Sequence, residues 1–250
     1  MKIGARTVKT IDACVKHFKG NEHLFATVLD QLNGYVLRSP TLRPHVHSVK
    51  SRVKDAEHLR EKLMRKARDA AEKGEVFDIK PDNLFSKIND LAGFRILHLY
   101  TTQIKDIDIA LRDLFEEARF PLIEGPISRT WDDEYRSYFV SLGFGVKDSP
   151  NLYTSTHYVV QANSRSGVTC EIQVRNLMEE VWGEVDHSIN YPKKTDSHTC
   201  REQIKVLARL TSSCSRLVDS IFSSHADANR GTQPAKSASV NRPAAKKRTK

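Results

Sequence analysis

Apolar residues recur with helical spacing through the first ~75 residues. Leu24, Val28 and Leu32 lie four apart, with Phe25 and Leu29 one position round, so this stretch predicts a helix with a wide apolar stripe. Ser39-Pro40 and Arg43-Pro44 end it. A second helix is expected from about Glu57 to Glu72, carrying Leu59 and Leu63 and closed by Gly74. Lys80-Pro81 breaks the chain before a helical turn at about Asn83 to Lys87. Gly93 to Leu99 then alternates apolar and polar residues, the pattern of a half-buried strand. A helix from about Ile104 to Arg119 follows. Three further runs read as strands: Tyr135–Leu142, His157–Ala162 and Val168–Val174. Residues 163–167, Asn-Ser-Arg-Ser-Gly, join the last two as a hairpin. Helices close the pattern at about Leu177–Ser188 and Arg201–Ser223. The expected fold is α+β: a mixed, mostly antiparallel sheet flanked by helices, with a helical N-terminal extension.

Charge changes the picture at one end only. The net charge is +9, but residues 224–250 hold seven basic residues against the single acid Asp227, leaving +3 for the rest. That tail is rich in Ser, Ala, Asn and Pro, so it is expected to be disordered, a solubilising end or a loose contact for RNA. The tail is its own segment, 224–250, preceded by a helical stretch over 194–223, and a helical extension over 1–45 opens the chain. No run of ~18 apolar residues exists to span a membrane. Met1 to Thr10 lacks the pattern of a secretory signal, and Cys14, Cys170, Cys200 and Cys214 lack zinc-site spacing. These features lead to the expectation of a cytoplasmic protein with free thiols.

Four clusters carry more polar chemistry than a plain core requires. Arg52 and Lys54 flank Val53, so in extended backbone they point the same way, and Lys62 follows on the next helix. Such a trio suits a polyphosphate, although a solvated helix face accounts for the same residues. Asp90 precedes Gly93 and Arg95 at a strand start, where a carboxylate stays exposed; a turn or cap residue reads the same way. Tyr153, Ser155 and His157 share a face at period-2 spacing, and an aromatic with a hydroxyl and an imidazole suits a nucleotide. Glu171, Gln173 and Arg175 alternate with Ile172 and Val174, so one strand face is core and the other displays an acid, an amide and a base. Trp182, Glu184, Asp186 and His187 follow on a helix.

In this order, Arg52-x-Lys54…Lys62, Asp90-x-x-Gly93-x-Arg95, Tyr153-x-Ser155-x-His157 and Glu171-x-Gln173-x-Arg175…Trp182…Asp186-His187, the chain resembles the RelA/SpoT synthetase domain over residues 46–193. The resemblance implies a nucleotidyltransferase-like fold and transfer of the β,γ-pyrophosphate of ATP to the ribose 3′-hydroxyl of GDP or GTP, making (p)ppGpp. By resemblance Glu171 is the general base, and Asp90 and Asp186 bind Mg²⁺, with Asp186 standing where the family usually has Glu. Arg52 and Arg95 sandwich the adenine, and Lys54 and Lys62 meet the donor phosphates. Tyr153 stacks on the acceptor base with Ser155, His157, Gln173 and Arg175 nearby. The chain departs from the family pattern at His58, at Leu152 where a Gly usually precedes the stacking Tyr, and at Asn176 where Thr is usual. No His-Asp dipeptide occurs, so the resemblance is to small synthetase-only members, which often form tetramers. Two other readings stand beside it. A toxic branch of the family modifies the 3′-CCA end of tRNA, and a catalytically dead relative would serve as an RNA-binding or interaction module.

Overall fold

A computed structural model describes residues 3–164, 166–190 and 193–231. Helices α1 (Ala5–Gly20) and α2 (Glu22–Arg38) lead into strand β1 (Ser48–Val53) and helix α3 (Ala56–Glu72). A short helix α4 (Leu84–Lys87) precedes β2 (Ala92–His98), α5 (Ile104–Glu117), β3 (Leu122–Thr130) and α6 (Asp133–Ser141). Strands β4 (Gly145–Asp148), β5 (Ser155–Gln161) and β6 (Thr169–Asn176) follow, then α7 (Leu177–Asn190) and α8 (His198–Gly231).

The strands form one six-stranded sheet in the order β1-β2-β6-β5-β3-β4. The pairs β1–β2, β5–β6 and β3–β5 are antiparallel, and β2–β6 and β3–β4 are parallel. The expected mixed, mostly antiparallel sheet with flanking helices is therefore the observed one. Its core face carries Phe94, Ile96, Tyr158, Val160, Ile172 and Val174, packed with Phe18 and Phe25 of the N-terminal helices and Ile107 and Leu111 of α5. The opposite side of the central strands is left to polar residues, as the alternation in β6 predicts.

Two expectations are corrected. The run at Tyr135–Leu142, read as a strand, lies in helix α6. The Asp132 carboxylate caps it, accepting from the backbone N–H groups of Glu134 and Tyr135. Tyr135 and Phe139, four apart, supply its buried side. The aromatic and β-branched content suggested a strand, but the cap and the i, i+4 spacing decided the local structure. The tail expected to be disordered from residue 224 starts as helix: α8 continues to Gly231, beyond the expected end at Ser223. Residues 232–250 of that tail lie outside the described residues.

Candidate functional site

The polar side of the sheet floors an open cleft of about 1110 Å³. Register places the floor residues in cross-strand rows. Arg52, Gly93 and Glu171 are successive partners across β1, β2 and β6. One step along, Lys50, Arg95, Gln173 and His157 form the next row. Gly93 keeps the first row low between Arg52 and Glu171. A Cβ there would come into ordinary contact with Arg52, whose Cγ would be 3.7 Å and Nε 3.9 Å away, and Gly93 itself lines the cleft.

Glu171 sits mid-floor. Its Oε1 accepts from His157 Nδ1 at 2.8 Å, and its Oε2 accepts from Gln173 Nε2 at 3.4 Å. Burial pushes its carboxyl upward, but the bond from His157 and that ring's charge pull it further down, so it ends below the usual carboxylate range. The group is thus ionised at neutral pH and held in one orientation. A His157→Ala variant is expected to move the acid limb of the kcat/KM profile to higher pH. With the imidazole gone, burial and the repulsion of Asp90 remain, and both favour the protonated acid. An acid limb that stays in place would show that His157 does not set the ionisation of Glu171.

Asp90 lies just before β2 and lines the same cleft. Lys54 Nζ donates to its Oδ2 at 3.0 Å, and Lys62 Nζ of α3 lies 2.7 Å from its Oδ1. Burial opposes its ionisation, but the two ammonium groups hold it below the usual range. The β1–β2 pairing extends one residue to place Lys54, whose N–H donates to the Leu91 carbonyl at 2.9 Å. Asp55 then caps α3, accepting from the N–H groups of Glu57 and His58 and so fixing the helix that carries Lys62. Lys54 and Lys62 therefore stand behind Asp90 and are not part of the cleft wall.

The far wall is built around Tyr153. Arg175 Cζ stacks over its ring, 4.4 Å from the centroid. Leu152, where a Gly is usual in the resembling family, has φ 61°. The left-handed backbone that glycine favours is thus kept by a leucine, at roughly 1–2 kcal/mol of strain. Its side chain packs with Trp182, Ile204 and Ala208, which offsets that cost. Trp182 is buried, and its Nε1 donates to the Ile204 carbonyl at 3.1 Å. Asn176 takes over a helix-capping role, its Oδ1 accepting from the Glu179 N–H at 2.9 Å.

Of the sequence-predicted residues, Arg52, Asp90, Arg95, Tyr153, Glu171, Gln173, Arg175 and Asp186 all face the cleft. His157 stands beside it through Glu171. Ser155 is a correction: it is 2% exposed, its hydroxyl donates to the Val174 carbonyl at 3.2 Å, and it does not line the cleft. The sheet hydrogen-bonding of its neighbour strand claims it. Sequence reasoning missed Lys50, which shares period 2 with Arg52, and the α8 ridge Arg201, Lys205 and Arg209, spaced four apart along the cleft wall. It also missed Glu180. That buried acid accepts from Lys50 Nζ at 2.8 Å, from Arg95 Nη1 at 2.9 and 3.0 Å, and from Arg175 Nη1 at 3.0 Å.

Among the described residues no group of three His, Cys, Asp or Glu residues is placed to hold a metal ion by itself. Mg²⁺ does not require one. It binds through one or two carboxylates, waters and substrate phosphates. Asp90 and Asp186 both line the cleft, carboxylates of the kind such a site takes, and Asn190 Nδ2 donates to Asp186 Oδ1 at 2.8 Å.

Comparison with known proteins agrees with this architecture. Residues 51–196 match the family model described as the region found in RelA / SpoT proteins. The GTP pyrophosphokinase YwaC of Bacillus subtilis is 26% identical over 151 residues, 60% of this chain. That match spans 61% of the relative's length, less than two thirds of it. The small alarmone synthetase 1 from B. subtilis, crystallised with its product pppGpp, superposes with a TM-score of 0.59 at 21% identity, covering 84% of this chain and 99% of that one. A GTP pyrophosphokinase family protein from Streptococcus pneumoniae gives 0.59 at 19%, covering 88% and 97%. At these identities the two structures show a shared fold. The family region covers more than half of the 250 residues, and the chain belongs to the RelA/SpoT family.

Proposed function

We propose that the protein transfers the β,γ-pyrophosphate of ATP to the ribose 3′-hydroxyl of GDP or GTP, forming (p)ppGpp and releasing AMP. The observation that carries this reading is the ionised Glu171, fixed by His157 on the cleft floor between the donor-side arginines Arg52 and Arg95 and the acceptor-side pair Tyr153 and Arg175. A ribose hydroxyl is a weak nucleophile, so a positioned carboxylate must take its proton as the O3′–P bond forms and the bond to the AMP oxygen breaks. Glu171 does this. Arg52 and Arg95 present planar guanidinium groups to the adenine, which stacks well on such planes. Tyr153, backed by Arg175, offers the aromatic surface on which the acceptor base stacks.

Asp90 and Asp186 would hold Mg²⁺, which when bound draws charge from the transferring group and aligns it. Lys54 and Lys62, which grip Asp90, would hold that ligand in orientation, and by the family resemblance they would meet the donor phosphates. The capture of pppGpp and of AMPCPP by the B. subtilis synthetase supports the nucleotide reading of the cleft. The test is to incubate the protein with γ-labelled ATP and Mg²⁺, offering GDP, GTP and deacylated tRNA separately. Labelled guanosine tetra- or pentaphosphate is expected. Label on tRNA alone would replace the nucleotide acceptor with an RNA end, and no transfer to any acceptor would overturn the enzymatic reading.

A further inference from the structure

Glu180 does not line the cleft, yet it holds Lys50, Arg95 and Arg175, which do. It reaches them from the first turn of α7, while they come from β1, β2 and the end of β6. Its Oε1 accepts from Lys50 and Arg95, and its Oε2 is shared between Arg95 at 3.0 Å and Arg175 at 3.0 Å. Arg95 belongs to the donor side of the cleft. Arg175 lies over Tyr153 on the acceptor side. One buried carboxylate oxygen therefore serves a residue of each subsite.

We propose that Glu180 is a positioning residue that couples donor and acceptor binding through this shared oxygen. The inference rests on the two-nucleotide reading of the cleft and adds a regulatory link to it. When a bound ATP draws the Arg95 guanidinium into the cleft, Oε2 loses one donor and is left to Arg175. Arg175 then holds Oε2 alone, with Lys50 still on Oε1, and its guanidinium stays fixed over the Tyr153 ring. The platform for the acceptor base is set before that base arrives, which lowers the ordering cost of binding it.

Arg175 has little room for another response. It is 4% exposed, and the backbone of α7 closes over it so tightly that a Cβ on Gly183 would lie 2.5 Å from Nη1. Arg95 is freer, with a quarter of its side chain exposed, and Glu184 offers it an alternative partner at 3.3 Å. The mobile member of the pair is thus on the donor side and the constrained member on the acceptor side. By linkage the acceptor must strengthen donor binding by the same factor.

The experiment is calorimetric titration of GDP onto the full chain with Mg²⁺, with and without saturating AMPCPP as a non-transferable donor. Each nucleotide is first titrated alone. The wild type is expected to bind GDP about tenfold more tightly when AMPCPP is present, within the ~5–150-fold range of such couplings. In Glu180→Gln the tightening should fall below about twofold, because a neutral amide oxygen no longer organises two guanidinium groups. Gly183→Ala is the second variant. It keeps the carboxylate but crowds Arg175 Nη1 away from Oε2, so the same loss is expected, and it decides the matter if Glu180→Gln fails to fold. Coupling that persists in the folded variants, or that is absent in the wild type, overturns the role of Glu180 while leaving the cleft a nucleotide site. Failure of AMPCPP to bind the wild type, or of GDP to bind even with AMPCPP present, overturns the two-nucleotide reading and this proposal with it.

Discussion

Glu171→Gln is expected to lower pyrophosphate transfer by about 10²–10⁴-fold, the range that a positioned general base typically supplies. The substitution isolates the proton-accepting step. A glutamine has the same shape, and its amide oxygen still accepts from His157 Nδ1, the 2.8 Å bond that orients residue 171. What it lacks is the negative charge that takes the 3′-hydroxyl proton. Binding should survive, since the arginines, Tyr153 and the carboxylates Asp90 and Asp186 are untouched. The expected signature is therefore a collapse of kcat, with KM for both nucleotides within a few-fold of wild type and an unchanged melting temperature. An equal loss through KM with kcat preserved would mean that Glu171 binds substrate and another group accepts the proton.

The place of Glu171 on the polar face was accessible from the sequence because β6 alternates strictly, while its role as base came from the resemblance to the family. Ile172 and Val174 fill the core, so Glu171, Gln173 and Arg175 must share the other face. The same logic located Arg52 and Arg95 on the cleft, whereas Asp90 was read from its place just before a strand. It failed for Ser155, which has the right parity but lies where Val174 claims its hydroxyl. Parity assigns a face and leaves depth undetermined. Strand β3 was illegible for another reason. Its pattern is interrupted by Gly125-Pro126 and by register shifts against β5, and at Gly125, with φ 110°, a Cβ would strike the His157 carbonyl at 2.5 Å. A bulged strand of this kind has no clean period to read. The four-residue β4 is too short to show one. Glu180 was hidden because its meaning lies in partners on distant strands. Along the chain it is only an acid in the first turn of a helix, where acids are common for dipole reasons.

Glu179→Gln is expected to stabilise the protein at alkaline pH and to change little in mild acid. Glu179 is 2% exposed, its Oε1 has no hydrogen-bond partner among the described residues, and it borders a cavity of about 20 Å³ beside His98, Thr101 and Asn176. Burial pushes its carboxyl up to about 8 from 4.5, with Asp132 adding to the rise and Arg175 opposing it. His98 beside it is itself driven down to about 4 by burial and stays neutral through this range, so it adds no counter-charge. Between the unfolded and folded values the native state binds a proton that the unfolded chain has released. Stability must then fall as pH rises through that window, with a slope approaching about 1.4 kcal/mol per pH unit. A glutamine is neutral in both states and removes the slope. Near pH 5 the native acid is protonated, so variant and wild type should unfold at nearly the same denaturant concentration. Near pH 8.5 the variant should be more stable by several kcal/mol, of which each is worth roughly 2–4 °C in melting temperature for a chain of this size. Urea titrations at the two pH values measure the difference directly. A loss of stability on substitution at pH 8.5 would instead mean that Glu179 is ionised in the native state and paired with Arg175, and that the guanidinium over Tyr153 is held by both Glu179 and Glu180.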